Sequence, residues 1–183
     1  MISLQKFLFT PEVATCLDMS STALYERQRA LVRVGLLPQA RSRGRKSGGA
    51  LATPETVALI VLSILVTDSL SEVDERMATW AGLRAIEFHI RRGKGEMRVG
   101  KCRLTGQKTL HEALTKVIAD FAGGIEIEVY RKQMVADLFE MSGNSIGSRF
   151  GHSDPGGGIQ VKGTFSGLYS MGMLLNTYSP RER

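Results

Sequence analysis

Hydrophobic positions in the first third of the chain recur at helical spacing between short polar breaks. Thr10-Pro11-Glu12 supplies a capping hydroxyl, a proline suited to the first helical position and an acid for the positive end of the helix dipole. The pattern predicts a helix through Leu17, a break at Asp18-Met19-Ser20, and a second helix that ends at Gly35. The second helix directs three apolar residues toward a core, namely Leu24, Leu31 and Val34. Two short helices joined by three or four residues are typical of a helix-turn-helix.

After the second helix the chain becomes basic and rich in glycine from Gln39 to Ala50. Thr53-Pro54-Glu55 then repeats the helix-start signal and opens an apolar helix through Val66. A basic segment between two ordered helices predicts a wing, and the alternative is a disordered linker. We therefore expect residues 1–69 to form a winged helix-turn-helix DNA-binding domain.

Residues 70–183 predict a second, α+β domain that serves oligomerisation or partner binding. A helix is expected from Ser71 to about Leu83, followed by alternation of apolar and polar residues from Arg84 and a turn at Gly93-Lys94-Gly95. Met97, Val99 and Leu104 suggest the returning strand of a hairpin.

A clear amphipathic helix follows Thr109 and ends at Gly123-Gly124. The remaining pattern predicts strands at 125–130 and 133–141, a long loop at 141–158, and two final strands at 159–165 and 168–175. The expected fold class is α+β, with the winged helix-turn-helix followed by one helix against a mainly antiparallel sheet.

The composition of the 183 residues, 43% hydrophobic and 23% charged, is that of a soluble globular protein. The longest apolar run, from Val57 to Val66, is shorter than the roughly 20 residues that a bilayer-spanning helix needs. The sequence carries no recognisable export signal, so we expect a cytoplasmic protein without membrane contact, with Cys16 and Cys102 reduced.

The net charge of +6 is concentrated in one segment. Between Tyr25 and Lys46 seven basic residues stand against the single acid Glu26, so the rest of the chain sums to zero. Residues 84–103 hold a second concentration of seven basic residues against two acids. Such patches favour a polyanionic partner, and the alternative is a solvated basic face.

Double-stranded DNA is the expected partner, and most of the candidate contacts lie away from the apolar positions of the second helix. Residues near the start of a recognition helix reach deepest into the major groove, whereas Arg33 is expected to meet the DNA backbone. The helix candidates are Ser21, Thr22, Tyr25, Gln28, Arg29 and Arg33. The wing candidates are Arg41, Arg43, Arg45 and Lys46, and a possible second contact is the hairpin tip with Arg91, Arg92 and Lys94.

The residues from Thr10 to Val66 resemble the DNA-binding unit of the MerR family of regulators. The resemblance rests on Val13-Ala14, on Tyr25-Glu26 in the second helix, and on Gly35-Leu36-Leu37-Pro38 leading into the wing. It implies that Tyr25 and the wing arginines meet the DNA backbone and that Ser21 and Thr22 lie near the groove. The interval from Tyr25 to Gly35 is longer than is usual in that family, and Ser47-Gly48-Gly49-Ala50 stands where its wing ends in an arginine and an aromatic residue.

Catalytic constellations are not evident, and we expect neither an enzyme nor a cofactor or metal. His89, His111 and His152 are dispersed, and the loop 143–148 lacks the lysine of a phosphate-binding loop. Glu126 and Glu128 share one face of a strand, where alternating glutamates are commonplace. A pocket that joined them to a histidine would favour an enzyme in the C-terminal domain.

Two functions fit a DNA-binding unit followed by an α+β domain. The first is a transcriptional regulator that binds an operator as a dimer, which matches half-sites about one helical turn apart. The alternative is a DNA-packaging or recombination accessory protein similar in organisation to a phage small terminase subunit. The expected assembly, a homo-oligomer in either case, is a dimer for the regulator and a ring of eight or more for packaging.

Overall fold

Seven helices and six strands occupy the residues that the computed structural model describes, which are 2–39, 49–91, 94–120, 123–141, 147–151 and 162–178. The helices are α1 (Leu4–Leu8), α2 (Pro11–Cys16), α3 (Ser21–Arg33), α4 (Pro54–Val66), α5 (Leu70–Ala81), α6 (Leu110–Asp120) and α7 (Leu168–Tyr178). The strands are β1 (Ala85–Arg91), β2 (Lys94–Val99), β3 (Ile125–Tyr130), β4 (Val135–Glu140), β5 (Gly147–Phe150) and β6 (Lys162–Phe165). The predicted α+β class with an antiparallel sheet is confirmed.

Helices α2 and α3 begin where the sequence predicts and end at Cys16 and Arg33, one and two residues before the predicted Leu17 and Gly35. The expected cap at Thr10 was wrong, because its hydroxyl donates to Phe7 O at 2.7 Å and makes no capping hydrogen bond to α2. The Ser20 hydroxyl accepts a hydrogen bond from the Ala23 amide at 3.2 Å, which caps α3, and Gly35 follows the helix at φ +78°. A left-handed residue after the last turn is the position that favours glycine. Val34 was predicted to point to the core and is only half-buried. Helix α1, which the sequence pattern did not predict, packs on α3 and α2.

Helix α4 lies at the centre of the molecule. Thr53 and Thr56 form a reciprocal capping box at its start, and nearly all of its residues are buried. It packs against α3 and α5 on one side and against α6, β3 and β6 on another. Its predicted identity as a buried helix is confirmed.

The six strands form one antiparallel sheet in the order β2-β1-β5-β4-β3-β6. Along β3 the buried residues alternate with half-buried ones, so Ile127 and Val129 face the helices while Glu126 and Glu128 face away. The predicted β1–β2 hairpin, the β3–β4 pair, α6 and the helix after Asp68 are confirmed, with α5 ending at Ala81.

Three predictions for the C-terminal region were wrong. Residues 168–175 form helix α7 instead of a strand, because Leu168, Met171, Gly172 and Leu175 recur at helical spacing and are all buried. The predicted loop 141–158 contains β5, whose residues pair with β4 and β1, and the rest of that loop falls largely outside the described residues. The sheet packs against α4 and α7, and α6 packs on those two helices, so the sheet is not covered by the single helix that was predicted.

The proposed division into domains at 69/70 remains a prediction. Buried residues from both sides of that position contribute to one core cluster, which includes Leu31 and Leu62 before it and Trp80 and Leu114 after it. Among the described residues, no single helix is long and apolar enough to cross a membrane. Helices α4 and α5 reach that length only together, as a pair bent by 117°.

Candidate nucleic-acid interface

The side of α3 that the sequence predicts to face DNA carries both exposed and half-buried side chains. Thr22, Arg29 and Arg33 are exposed, whereas Ser21 and Tyr25 are half-buried. The Tyr25 ring meets the Phe9 ring edge-to-face with centroids 6.1 Å apart. That contact packs the Tyr25 ring against Phe9, the residue that follows α1.

Gln28 departs from its predicted role. Only 9% of the residue is exposed, and its Oε1 atom is buried with no hydrogen-bond partner. A residue that reads a base edge must project from the surface, so Gln28 is a poor candidate for a major-groove contact.

Arg27, which contributes to the basic segment in sequence, is not part of the surface at all. It is 4% exposed, and its guanidinium donates to the Ser63 and Thr67 carbonyl oxygens at 2.5 and 3.0 Å. Burial lowers the pKa of Arg27, against an opposing effect of Asp68. The charge of Arg27, which is counted in the basic segment, is therefore not presented at the surface.

The two exposed arginines of α3 are held by acidic neighbours. Arg29 lies 3.2 Å from a Glu26 carboxylate oxygen, and Arg33 makes two 2.7 Å hydrogen bonds to Asp74 of α5. The hydrogen bond from Arg33 holds the pKa of Asp74 below its usual range. The positive charge on the surface of α3 is thus locally compensated.

A groove of about 680 Å³ separates α3 from the two ends of the predicted wing. The chain enters that segment at Gln39 and returns at Gly49, and both residues line the groove with Tyr25 and Arg29. The returning chain is tied to the N-terminus, because the Leu4 amide donates to Ala50 O and the Ala52 amide to Ile2 O at 2.8 and 3.0 Å. The predicted wing contacts Arg41, Arg43, Arg45 and Lys46 lie outside the described residues.

The second predicted contact is described only in part. Arg91 and Lys94 are paired opposite each other at the end of the β1–β2 hairpin, but only their backbone is described, and Arg92 lies outside the described residues.

A cluster of three arginines at the C-terminal end of α4 had no signal in the sequence. Arg27, Arg76 and Arg131 come from α3, α5 and the β3–β4 turn, and each donates to carbonyls at this helix end. Arg131 also pairs with Asp68 at 2.5 and 3.0 Å, and this bond lowers the pKa of Asp68. Because the three lie far apart along the chain, only the tertiary structure identifies them as one group.

The residues considered for catalysis do not converge in the part of the chain that the structure describes, where no group of three or more potential metal ligands is found. Burial acts to raise the pKa of Glu128, but hydrogen bonds from Lys162 and Tyr130 outweigh it and lower that pKa. The same contact with Glu128 raises the pKa of Tyr130 to about 12. The His111 Nε2 atom lies 2.9 Å from Glu55 O instead, while His152 and the His89 side chain lie outside the described residues.

Comparison of the chain with protein-family models, curated proteins and solved structures finds no match. The resemblance to MerR regulators therefore rests on the residues quoted above.

Proposed function

We propose that this chain binds double-stranded DNA through a winged helix-turn-helix, with α3 as recognition helix and residues 39–50 as the wing, and acts as a dimeric transcriptional regulator. The support comes from four features: the four-residue connection between α2 and α3, the cap at Ser20, the exposed Thr22, and the basic composition of residues 39–50.

The observation that carries this proposal is the groove beside α3. Gln39 and Gly49 bring both ends of the basic segment next to Tyr25 and Arg29. A wing must leave and rejoin the domain beside the recognition helix if both are to contact the same duplex. A linker to a separate domain has no such requirement.

The electrostatic part of the binding is then assigned mainly to the wing. Arg29 and Arg33 already pair with Glu26 and Asp74, so their net attraction for phosphate is reduced. The four basic residues between 41 and 46 have no acidic neighbour in sequence. Their contribution is expected to be independent of the DNA sequence.

Replacement of Arg41, Arg43 and Arg45 by alanine tests the wing. Fluorescence anisotropy gives the association constant for a random 30-base-pair duplex between about 50 and 200 mM salt. The slope of its logarithm against the logarithm of the salt concentration should become shallower by about three units, because each lost phosphate contact reduces the slope by about 0.9. All duplex sequences should lose affinity alike.

The matched control replaces three exposed lysines elsewhere, Lys108, Lys116 and Lys132, by alanine. It removes the same charge and should leave the slope within one unit of the unmodified protein. An equal loss in both triple variants would mean that net charge and not the wing binds DNA. Light scattering on the same samples should give a dimer, whereas a ring of eight or more would contradict the regulator.

A further inference from the structure

Strand β2 lies at one end of the six-stranded sheet, beside β1. Among the described residues, no strand pairs with its outer edge, and Val99 at the end of β2 is 49% exposed. The backbone N–H and C=O groups along such an edge are a template for pairing with another strand. The outer edge of β2 is therefore a candidate interaction surface.

The hydrogen bonds between β2 and β1 determine which residues of β2 present their backbone to that edge. Directly after β2, the Gly100 amide donates to Ala85 O at 2.9 Å. In an antiparallel pair only every second residue exchanges hydrogen bonds with the neighbouring strand. Counted back from Gly100, the residues that bond to β1 are Lys94, Glu96 and Arg98, and those that direct N–H and C=O outward are Gly95, Met97 and Val99.

The charges of β2 select one register in which the strand can pair with itself. If Met97 stands opposite Met97 of an antiparallel second copy, the outward backbone groups of both strands meet, and Glu96 stands opposite Arg98 on either side of the centre. A shift of the centre by one residue places Glu96 opposite Glu96, or Arg98 opposite Arg98. Opposite charges across a pair of strands stabilise the pairing, and like charges destabilise it.

The other residues of β2 fit the same register. The exposed Val99 stands opposite Gly95 of the second copy, which leaves room for the valine side chain. Because side chains alternate along a strand, Val99 and Met97 of both copies share one face and form an apolar row. Arg98 also interacts within its own copy, but a guanidinium carries enough N–H donors to serve a second carboxylate.

We propose that β2 pairs antiparallel with β2 of a second copy of this chain, centred on Met97, and joins the two sheets into one. Such an interface is isologous, so it closes at two copies and does not extend into a ring. The inference rests on the dimer of the proposed function, whose interface it names, and is independent of DNA binding.

Two charge reversals in the full chain test this register without DNA. Glu96→Arg places arginine opposite arginine at two symmetric positions, and Arg98→Glu places glutamate opposite glutamate. Sedimentation velocity over a range of protein concentrations should show that each reversal weakens the dimer at least about tenfold. An equimolar mixture of the two variants should regain the affinity of the unmodified chain to within about threefold, because each opposed pair is again arginine and glutamate. A role within one copy would not be restored by mixing.

The matched controls, Arg103→Glu and Glu75→Arg, make the same charge changes at exposed residues outside β2. They should leave the dimer unchanged, alone or mixed, and an equal loss in the controls would contradict the register. Full dimer affinity in both β2 variants, or a mixture as weakly associated as its components, would overturn this interface and leave the wing experiment unaffected. A monomeric unmodified chain would overturn the interface together with the dimer of the proposed function.

Discussion

Arg27 illustrates at the residue scale how a charge count and a structure can assign opposite roles to one side chain. In sequence it stands among the basic residues of 25–46, and in the structure its guanidinium is buried against the end of α4. Its position on the helix, three residues after the buried Leu24 and four before the buried Leu31, gives it the same face as the core residues. That spacing was visible in the sequence, but the carbonyls that receive its hydrogen bonds were not.

Replacing Arg27 by methionine should destabilise the protein by about 2–4 kcal/mol, because the Ser63 and Thr67 carbonyls lose charge-assisted donors in a buried place. The relief of a desolvated charge offsets part of this loss. Urea unfolding followed by circular dichroism measures the difference.

Arg29→Met is the control for that substitution, since it removes the same side chain type two positions later from an exposed ion pair. It should change stability by no more than about 0.5 kcal/mol. Equal effects of the two substitutions would show that the buried hydrogen bonds of Arg27 contribute nothing of their own.

The ion pair between Arg33 and Asp74 links two elements, α3 and α5, and sets the charge that α3 presents. Asp74→Asn leaves Arg33 without its bidentate partner. If α3 faces DNA, affinity should rise and the salt dependence should steepen by up to about one unit, one additional phosphate contact. Asp120→Asn, which frees Lys116 on α6, is the control and should leave DNA binding unchanged.

The pH dependence of this pair has a definite sign. Arg33 lowers the pKa of Asp74 in the folded protein, so the contribution of the pair to stability is complete above the pKa of the unfolded chain. It is lost as the pH falls through the folded pKa, below the ordinary range of an aspartate. Near neutral pH the pair is therefore intact, and only substitution releases Arg33. A gain in DNA affinity on mild acidification, from pH 7 to 6, would have to come from other groups.

The sequence predicted a helix well where a helix-start signal preceded apolar residues at helical spacing. Pro11 marks the start of α2, Thr53-Pro54 marks that of α4, and Thr109 caps α6. Helix α1 has only five residues, too few for a period to be recognised. Residues 168–175 were predicted as a strand although their apolar residues recur at helical spacing, and the helix they form packs against α2 and α6.

The C-terminal end of α4 shows why the candidate site could be predicted less well than the helices and strands. Its terminal carbonyls receive donors from α3, α5 and the β3–β4 turn, so the two halves of the chain meet there. Helix termini need such partners, but a sequence does not say which distant residue provides them. The same holds for the groove beside α3, whose lining comes from the N-terminus, α3 and both ends of the 39–50 segment.

At the scale of the whole molecule, the central position of α4 bears on the predicted division at 69/70. Its buried residues contact α6 and the sheet as well as α3 and α5. If either half unfolded, apolar surface of α4 would be exposed to water, at a cost of about 25 cal/mol per Å². The two halves are therefore expected to depend on each other for stability.

This dependence predicts a single cooperative unfolding transition for the full chain. Trp80 of α5 is buried in the shared core, so its fluorescence reports the region after position 69, while far-UV circular dichroism reports all helices. The two signals should share one urea midpoint and one slope. Leu114→Ala, a cavity in α6 that costs about 2–5 kcal/mol, should shift both midpoints together. Two separate midpoints, with the Leu114→Ala shift confined to the fluorescence signal, would instead support an N-terminal domain that folds on its own.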